Sequence, residues 1–153
     1  ACATVGQMLV NPNSRNVIPG SVFLTVDFRH PTDETLSMMD QALKAFCTRL
    51  ADQSKTQIDV VDFWYFPPTH FEDRCIEAVR EGARVAGFVH MDIVSGAGHD
   101  AVYIAGVAPT GMIFVPCENG ISHNEIENAS PEDCAAGCQV LLHATLAHAV
   151  ALD

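Results

Sequence analysis

The clearest pattern in the chain runs from Ser21 to Arg29. Val22, Leu24, Val26 and Phe28 alternate with Phe23, Thr25, Asp27 and Arg29, which predicts a strand with one apolar and one mixed face. Residues 3–10 (Ala-Thr-Val-Gly-Gln-Met-Leu-Val) predict an earlier strand that stops at Asn11-Pro-Asn-Ser. Between the two, Val17-Ile-Pro-Gly20 has Pro and Gly in the order a type II turn prefers. The period then lengthens. Pro31-Thr-Asp-Glu34 opens a helix with Thr32 as its cap and acids in the first turn. Leu36, Met39, Leu43, Phe46 and Leu50 form its apolar stripe. Thr56 to Phe66 reads as a third strand, and Pro67-Pro68 behind it marks a boundary.

Beyond the prolines, a helix is expected over about 71–86, with Ile76, Val79 and Ala83 inward and Gly87 as its stop. His90 to Val94 reads as a short strand, Asp100 to Val107 as a helix, and Gly111 to Pro116 as a short buried strand. Ser130-Pro-Glu-Asp133 starts a final helix with cap, proline and acids in place, running to about Val150. Gly137 inside that helix costs about 1 kcal/mol, so it marks a close approach to the sheet. Residues 1–66 thus hold most of a small antiparallel α+β layer, short of one helix and one strand. Residues 67–153 alternate helix and short strand like the edge of an α/β sandwich. Neither half reads as complete.

Composition narrows the function. The 153 residues are 48% hydrophobic, enough for a core. A net charge of −11 with only 8 Lys and Arg supplies no basic footprint for nucleic acid. No apolar run approaches the roughly 20 residues of a membrane span. The opening Ala1-Cys-Ala-Thr-Val-Gly has neither an initiator Met nor a signal pattern, so the chain reads as cut from something longer. The six cysteines include no Cys-x-x-Cys. Cys134 and Cys138 share a helix face and read as small core residues, which points to free thiols in the cytoplasm.

Four residues are candidates for chemistry. His123, in Gly-Ile-Ser-His-Asn-Glu just past the last apolar run, is either a metal ligand or a loop histidine bonded to backbone. Glu125 and Glu127 beside it are further ligands, supports or solvated acids. His99 follows Ser-Gly-Ala-Gly at the start of a helix, where an imidazole can stabilise an oxyanion; the alternative is a simple tight turn. Asn16 and Arg29 flank the expected hairpin, and an amide with a guanidinium can clamp a carboxylate. An Asp27–Arg29 surface pair is the competing reading. His30, His70, His90, His143 and His148 show no ligand spacing and read as structural.

Taken in order, five segments resemble the amidase/N-carbamoyl-L-amino acid hydrolase branch of the M20 metallopeptidase-like family. They are Pro12-Asn-Ser-Arg-Asn16-Val-Ile-Pro-Gly20, Val26-Asp-Phe-Arg29-His-Pro, Ser95-Gly-Ala-Gly-His99-Asp-Ala, Ala108-Pro-Thr-Gly-Met-Ile-Phe-Val-Pro116 and Gly120-Ile-Ser-His123-Asn-Glu. That branch includes β-ureidopropionase and allantoate amidohydrolase. The resemblance implies that residues 1–66 are part of an antiparallel-sheet lid and dimerisation domain. Residues 67–153 would be the C-terminal α/β part of a metal-dependent catalytic domain. It implies that His123 is the last metal ligand, that His99 contacts the scissile group, and that Asn16 and Arg29 grip the substrate carboxylate. Two divalent ions are implied, zinc first, with manganese, cobalt or nickel as alternatives. The implied partners are an N-carbamoyl or ureido acid substrate and a second copy through the lid. The products would be amino acid, ammonia and carbon dioxide. The family's other four ligands and its catalytic Glu have no counterpart here, so this chain alone is expected to be inactive. The competing readings are a non-catalytic dimerisation fragment and an aminoacylase- or dipeptidase-like M20 amidase.

Overall fold

A computed structural model describes residues 1–149 as a mixed α/β chain in two compact units, the first Ala1–Pro68, the second beginning at Thr69. In the first unit β1 (Cys2–Asn11) and β2 (Ser21–Arg29) form an antiparallel hairpin, followed by α1 (Asp33–Ser54). The second unit holds α2 (Asp73–Val85), α3 (Asp100–Ala105), a single 3₁₀ turn at Glu118–Gly120, and α4 (Pro131–Ala149). The expected end of α4 at Val150 lies outside the described residues.

The hairpin register explains a sequence that does not alternate cleanly. Val5 pairs with Val26 and Gln7 with Thr25, so Gly6 is left over as a β-bulge. Without the bulge, Val5 would share a face with Gln7 and Leu9. With it, Ala3, Val5, Met8 and Val10 line up with Phe28, Val26, Leu24 and Val22, giving one wholly apolar face. The extra residue flips the second half of β1, and glycine leaves the bulge uncrowded. α1 contacts β2, and Val26 and Phe28 are half-buried there. Val5, Met8, Val22 and Leu24 stay 47–60% exposed.

Several expectations need correction. Thr32 does occupy the N-cap position of α1, but its hydroxyl makes no bond to the helix backbone. It lies 2.9 Å from both His30 Nδ1 and Thr35 Oγ1. On the α1 stripe, Leu36, Met39 and Leu43 are half-buried, whereas Phe46 and Leu50 are exposed. Val17–Gly20 is not a type II turn, since Gly20 does not adopt the positive φ that turn demands. The chain instead turns at Ser14–Val17, and the Gly20 amide donates to the Asn11 carbonyl at 2.8 Å, restarting the ladder. Cys134 and Cys138 are exposed, not core, although all six cysteines are free thiols.

The three remaining strand expectations fail together. Residues 56–66, 90–94 and 111–116 form no ladder, and β1–β2 is the sheet found among the described residues. An extended segment becomes a strand only when a second one satisfies its backbone groups. Here side chains tether the first two of these segments to helices instead. Lys44 on α1 donates to Asp62 at 2.6 Å, and the Tyr65 hydroxyl donates to Asp33. Arg80 on α2 pairs with Asp92.

The second unit is built on two close contacts. Gly82 and Ala83 of α2 meet Val140 and Ala144 of α4, and these small side chains are buried. α2 ends as its glycine requires. Gly87 at φ +75 sends its amide to the Arg84 carbonyl, and Phe88 sends its own to Ala83. Segment 111–116 lies half-buried against both helices. A Cβ on Gly111 would sit 3.1 Å from Cys75 Cβ on α2, and one on Gly137 would sit 2.7 Å from Val115 Cγ1. Gly137 therefore does mark a close approach, to an unpaired extended segment and not to a sheet. At the head of α4, Ser130 Oγ accepts the Asp133 amide at 3.0 Å, the expected cap.

Candidate functional site

His123 sits in a loop cinched at its base. The Glu118 amide donates to the Asn128 carbonyl at 2.7 Å, and Asn128 Nδ2 donates back to Glu118 Oε2 at 3.0 Å. Within the loop His123 adopts φ +57, a left-handed conformation that costs a non-glycine residue of order 1–3 kcal/mol. The His123 amide donates to Glu127 Oε2 at 2.7 Å, a charge-assisted bond that offsets the strain. Its ring Nδ1 lies 3.0 Å from Ser122 Oγ. With Nδ1 engaged, Nε2 is the ring nitrogen left for a cation, and a neutral imidazole so held is chemically suited to a zinc-class ion. Among the described residues no three His, Cys, Asp or Glu side chains converge as a metal cage. His123 can thus be one ligand of a site that needs others.

His99 occupies the N-cap position of α3, without a side-chain capping bond, and is half-buried. Its Nε2 lies 2.7 Å from Ser95 Oγ, which also accepts the Ala97 amide at 3.2 Å. The ring edge packs on Phe114, centroids 5.5 Å apart. The ring is therefore fixed on two sides, and a fixed ring is what an oxyanion donor requires. Ser95 stood in the sequence motif without a role, and the geometry supplies one.

In the first unit, Arg29 ends β2 and Asn16 lies in the exposed loop before it. Arg29 Nε donates to Asp27 Oδ1 at 2.7 Å, so the surface pair does form. The hydrogen bond that Arg29 donates to Asp27, then the charge of Asp27, raises the Arg29 pKa above the usual value. Asn16 Oδ1 accepts from Ser14 Oγ at 2.8 Å. The two candidate clamp residues are not brought together. The eight residue steps of β2 span about 27 Å, and Asn16 is joined to the end of the strand that Arg29 is not. The five residue steps from Asn16 to Ser21 reach at most about 18 Å, too short to bring Asn16 back to Arg29.

Comparison with known proteins adds to this geometry. The profile of Peptidase family M20/M25/M40 matches residues 3–147. An N-carbamoyl-L-amino-acid amidohydrolase of Rhizobium meliloti is 44% identical over 146 residues, 95% of this chain and 35% of that one. An allantoate amidohydrolase of Bacillus subtilis is 33% identical over 138 residues, 90% of this chain and 34% of the other. A crystal structure of a hydantoinase/carbamoylase-family amidase from Burkholderia multivorans superposes with a TM-score of 0.91 at 57% identity. It covers 95% of this chain and 36% of that one. The chain thus spans about a third of the length of the relatives it matches.

Proposed function

The chain belongs to Peptidase family M20/M25/M40, and on that footing we propose that it forms part of a metal-dependent amidohydrolase. The bond cleaved is the linear C–N bond of a carbamoyl group on an N-carbamoyl amino acid or ureido acid. The observation that carries this reading is the 44% identity, over 95% of the chain, to an N-carbamoyl-L-amino-acid amidohydrolase. The activity is that of the whole protein, since this chain offers one candidate ligand. Residues 1–66 would serve as part of a lid and dimerisation domain, and 67–153 as part of the catalytic domain. Two divalent ions, zinc first, would supply Lewis acidity and would lower the pKa of water toward neutrality. His123 would hold one of them through Nε2.

The remaining steps belong to side chains described above. If the Ser95 hydroxyl donates to His99 Nε2, the ring proton sits on Nδ1. That N–H is then the donor for the oxygen of the scissile carbonyl as charge develops on it. Arg29 and Asn16 grip the substrate carboxylate, so binding far from the scissile bond orients it. Their separation has a consequence. Two residues at opposite ends of one hairpin reach a single small substrate only if they come from two copies of the chain, so the enzyme works as a homodimer. Free thiols and the absence, among the described residues, of a helix able to cross a membrane accord with our assignment to the cytoplasm.

The test is ammonia release from N-carbamoyl amino acids and ureido acids by the whole protein, with and without a chelator. We expect release that the chelator abolishes. Cleavage of N-acyl amino acids or dipeptides with no release from carbamoyl substrates would move the enzyme to the aminoacylase or dipeptidase class.

A further inference from the structure

Glu127 is four residues beyond the candidate ligand, and each of its carboxylate oxygens meets a group of the loop. Oε2 accepts the His123 amide at 2.7 Å, and Oε1 lies 3.9 Å from the Cys117 thiol at the loop base. Its own amide donates to the Asn124 carbonyl at 2.9 Å, and the Ile126 amide to Asn124 Oδ1 at 3.2 Å. These bonds wrap residues 123–127 around the carboxylate. We propose that Glu127 is a positioning residue whose carboxylate, by holding the His123 amide, keeps that histidine in its left-handed conformation and so aims its ring at the cation. The proposal rests on the reading of His123 as a ligand.

The physical argument turns on what His123 does when released. A non-glycine residue at φ +57 relaxes toward negative φ unless something holds it. Such a rotation about N–Cα carries the Cβ, and with it the imidazole, in a new direction. Ser122 cannot prevent this, because it touches the ring and not the backbone. The amide–carboxylate bond acts on the backbone itself. A supporting group of this kind alters metal affinity about 10- to 100-fold without touching the ion.

The experiment compares Glu127→Ala and Glu127→Gln in the whole protein. Two quantities are read: hydrogen exchange at the His123 amide, resolved by residue, and zinc affinity by competition with a chromogenic chelator. Glutamine keeps an acceptor at the same reach and serves as the conservative rescue. We expect Glu127→Ala to speed His123 exchange and weaken zinc binding at least tenfold each, with Glu127→Gln within about threefold of the parent in both. Unchanged exchange in Glu127→Ala overturns the clasp. Equal loss of zinc in both variants with unchanged exchange makes Glu127 a ligand and likewise overturns it. Zinc binding unaffected by His123→Ala removes the ligand reading, and this proposal with it, whatever exchange shows.

Discussion

Replacing Gly82 with alanine sets two effects of known size against each other. Within a helix the exchange gains about 1 kcal/mol of propensity. Against that, the new Cβ would lie 3.0 Å from the Val140 carbonyl oxygen and 3.1 Å from His143 Cβ. Both obstacles belong to the frame of α4, so no side-chain rotation relieves them. α2 and α4 must separate by several tenths of an ångström. That loosens Ala83, Val140 and Ala144, the buried apolar residues of the unit. Overpacking of this kind costs about 1–3 kcal/mol. Taking about 2 for the strain and subtracting about 1 for propensity leaves a net loss near 1 kcal/mol. Urea and thermal unfolding followed by circular dichroism would measure it. A variant more stable than the parent by about 1 kcal/mol, the propensity gain alone, would refute the claim that the helices are in rigid contact.

Further expectations concern the site. His123→Ala in the whole protein should lose about one metal ion per subunit by elemental analysis, and unchanged content removes it from the ligand set. Arg29→Lys should raise KM about tenfold with kcat within twofold, since lysine cannot make a forked pair with a carboxylate; identical kinetics end the clamp assignment. Ser95→Ala should lower kcat about three- to tenfold at constant KM, with Ser95→Thr restoring it; an alanine variant at parental rate means that His99 needs no partner. The Arg80 hydrogen bond holds the Asp92 carboxyl below its ordinary 3.8. A depressed pKa contributes stability above the unfolded value and loses it as pH falls through the folded one. Arg80→Ala should therefore bring the Asp92 titration midpoint up toward 3.8 in a carboxyl NMR titration, and an unmoved midpoint breaks the pair.

The candidate site was half legible. His99 and His123 stand out in the chain because each follows a Gly-containing word. What holds them does not, since Ser95 and Glu127 act through a ring nitrogen and a backbone amide that only a folded loop brings near. Asn16 and Arg29 look adjacent when written out, thirteen positions apart. Most of the intervening residues belong to the extended strand β2, and extension turns closeness in sequence into distance in space. Glu127 illustrates the reverse. The sequence offers it as a ligand, a support or a solvated acid, and the loop makes it a backbone acceptor.

The helices and the first hairpin were written in the residues themselves. A helix closes its hydrogen bonds within four residues, so the Ser130-Pro-Glu-Asp133 opening and the Gly87 stop could be read locally. A strand closes its bonds with a partner elsewhere, and no local pattern says whether that partner is present. Residues 56–66, 90–94 and 111–116 have strand-like composition, yet in this chain the first two are tethered to helix side chains and the third packs against α2 and α4. The Gly6 bulge is of the same kind. Which face β1 shows past that point depends on its register with β2, and register exists only once both strands meet.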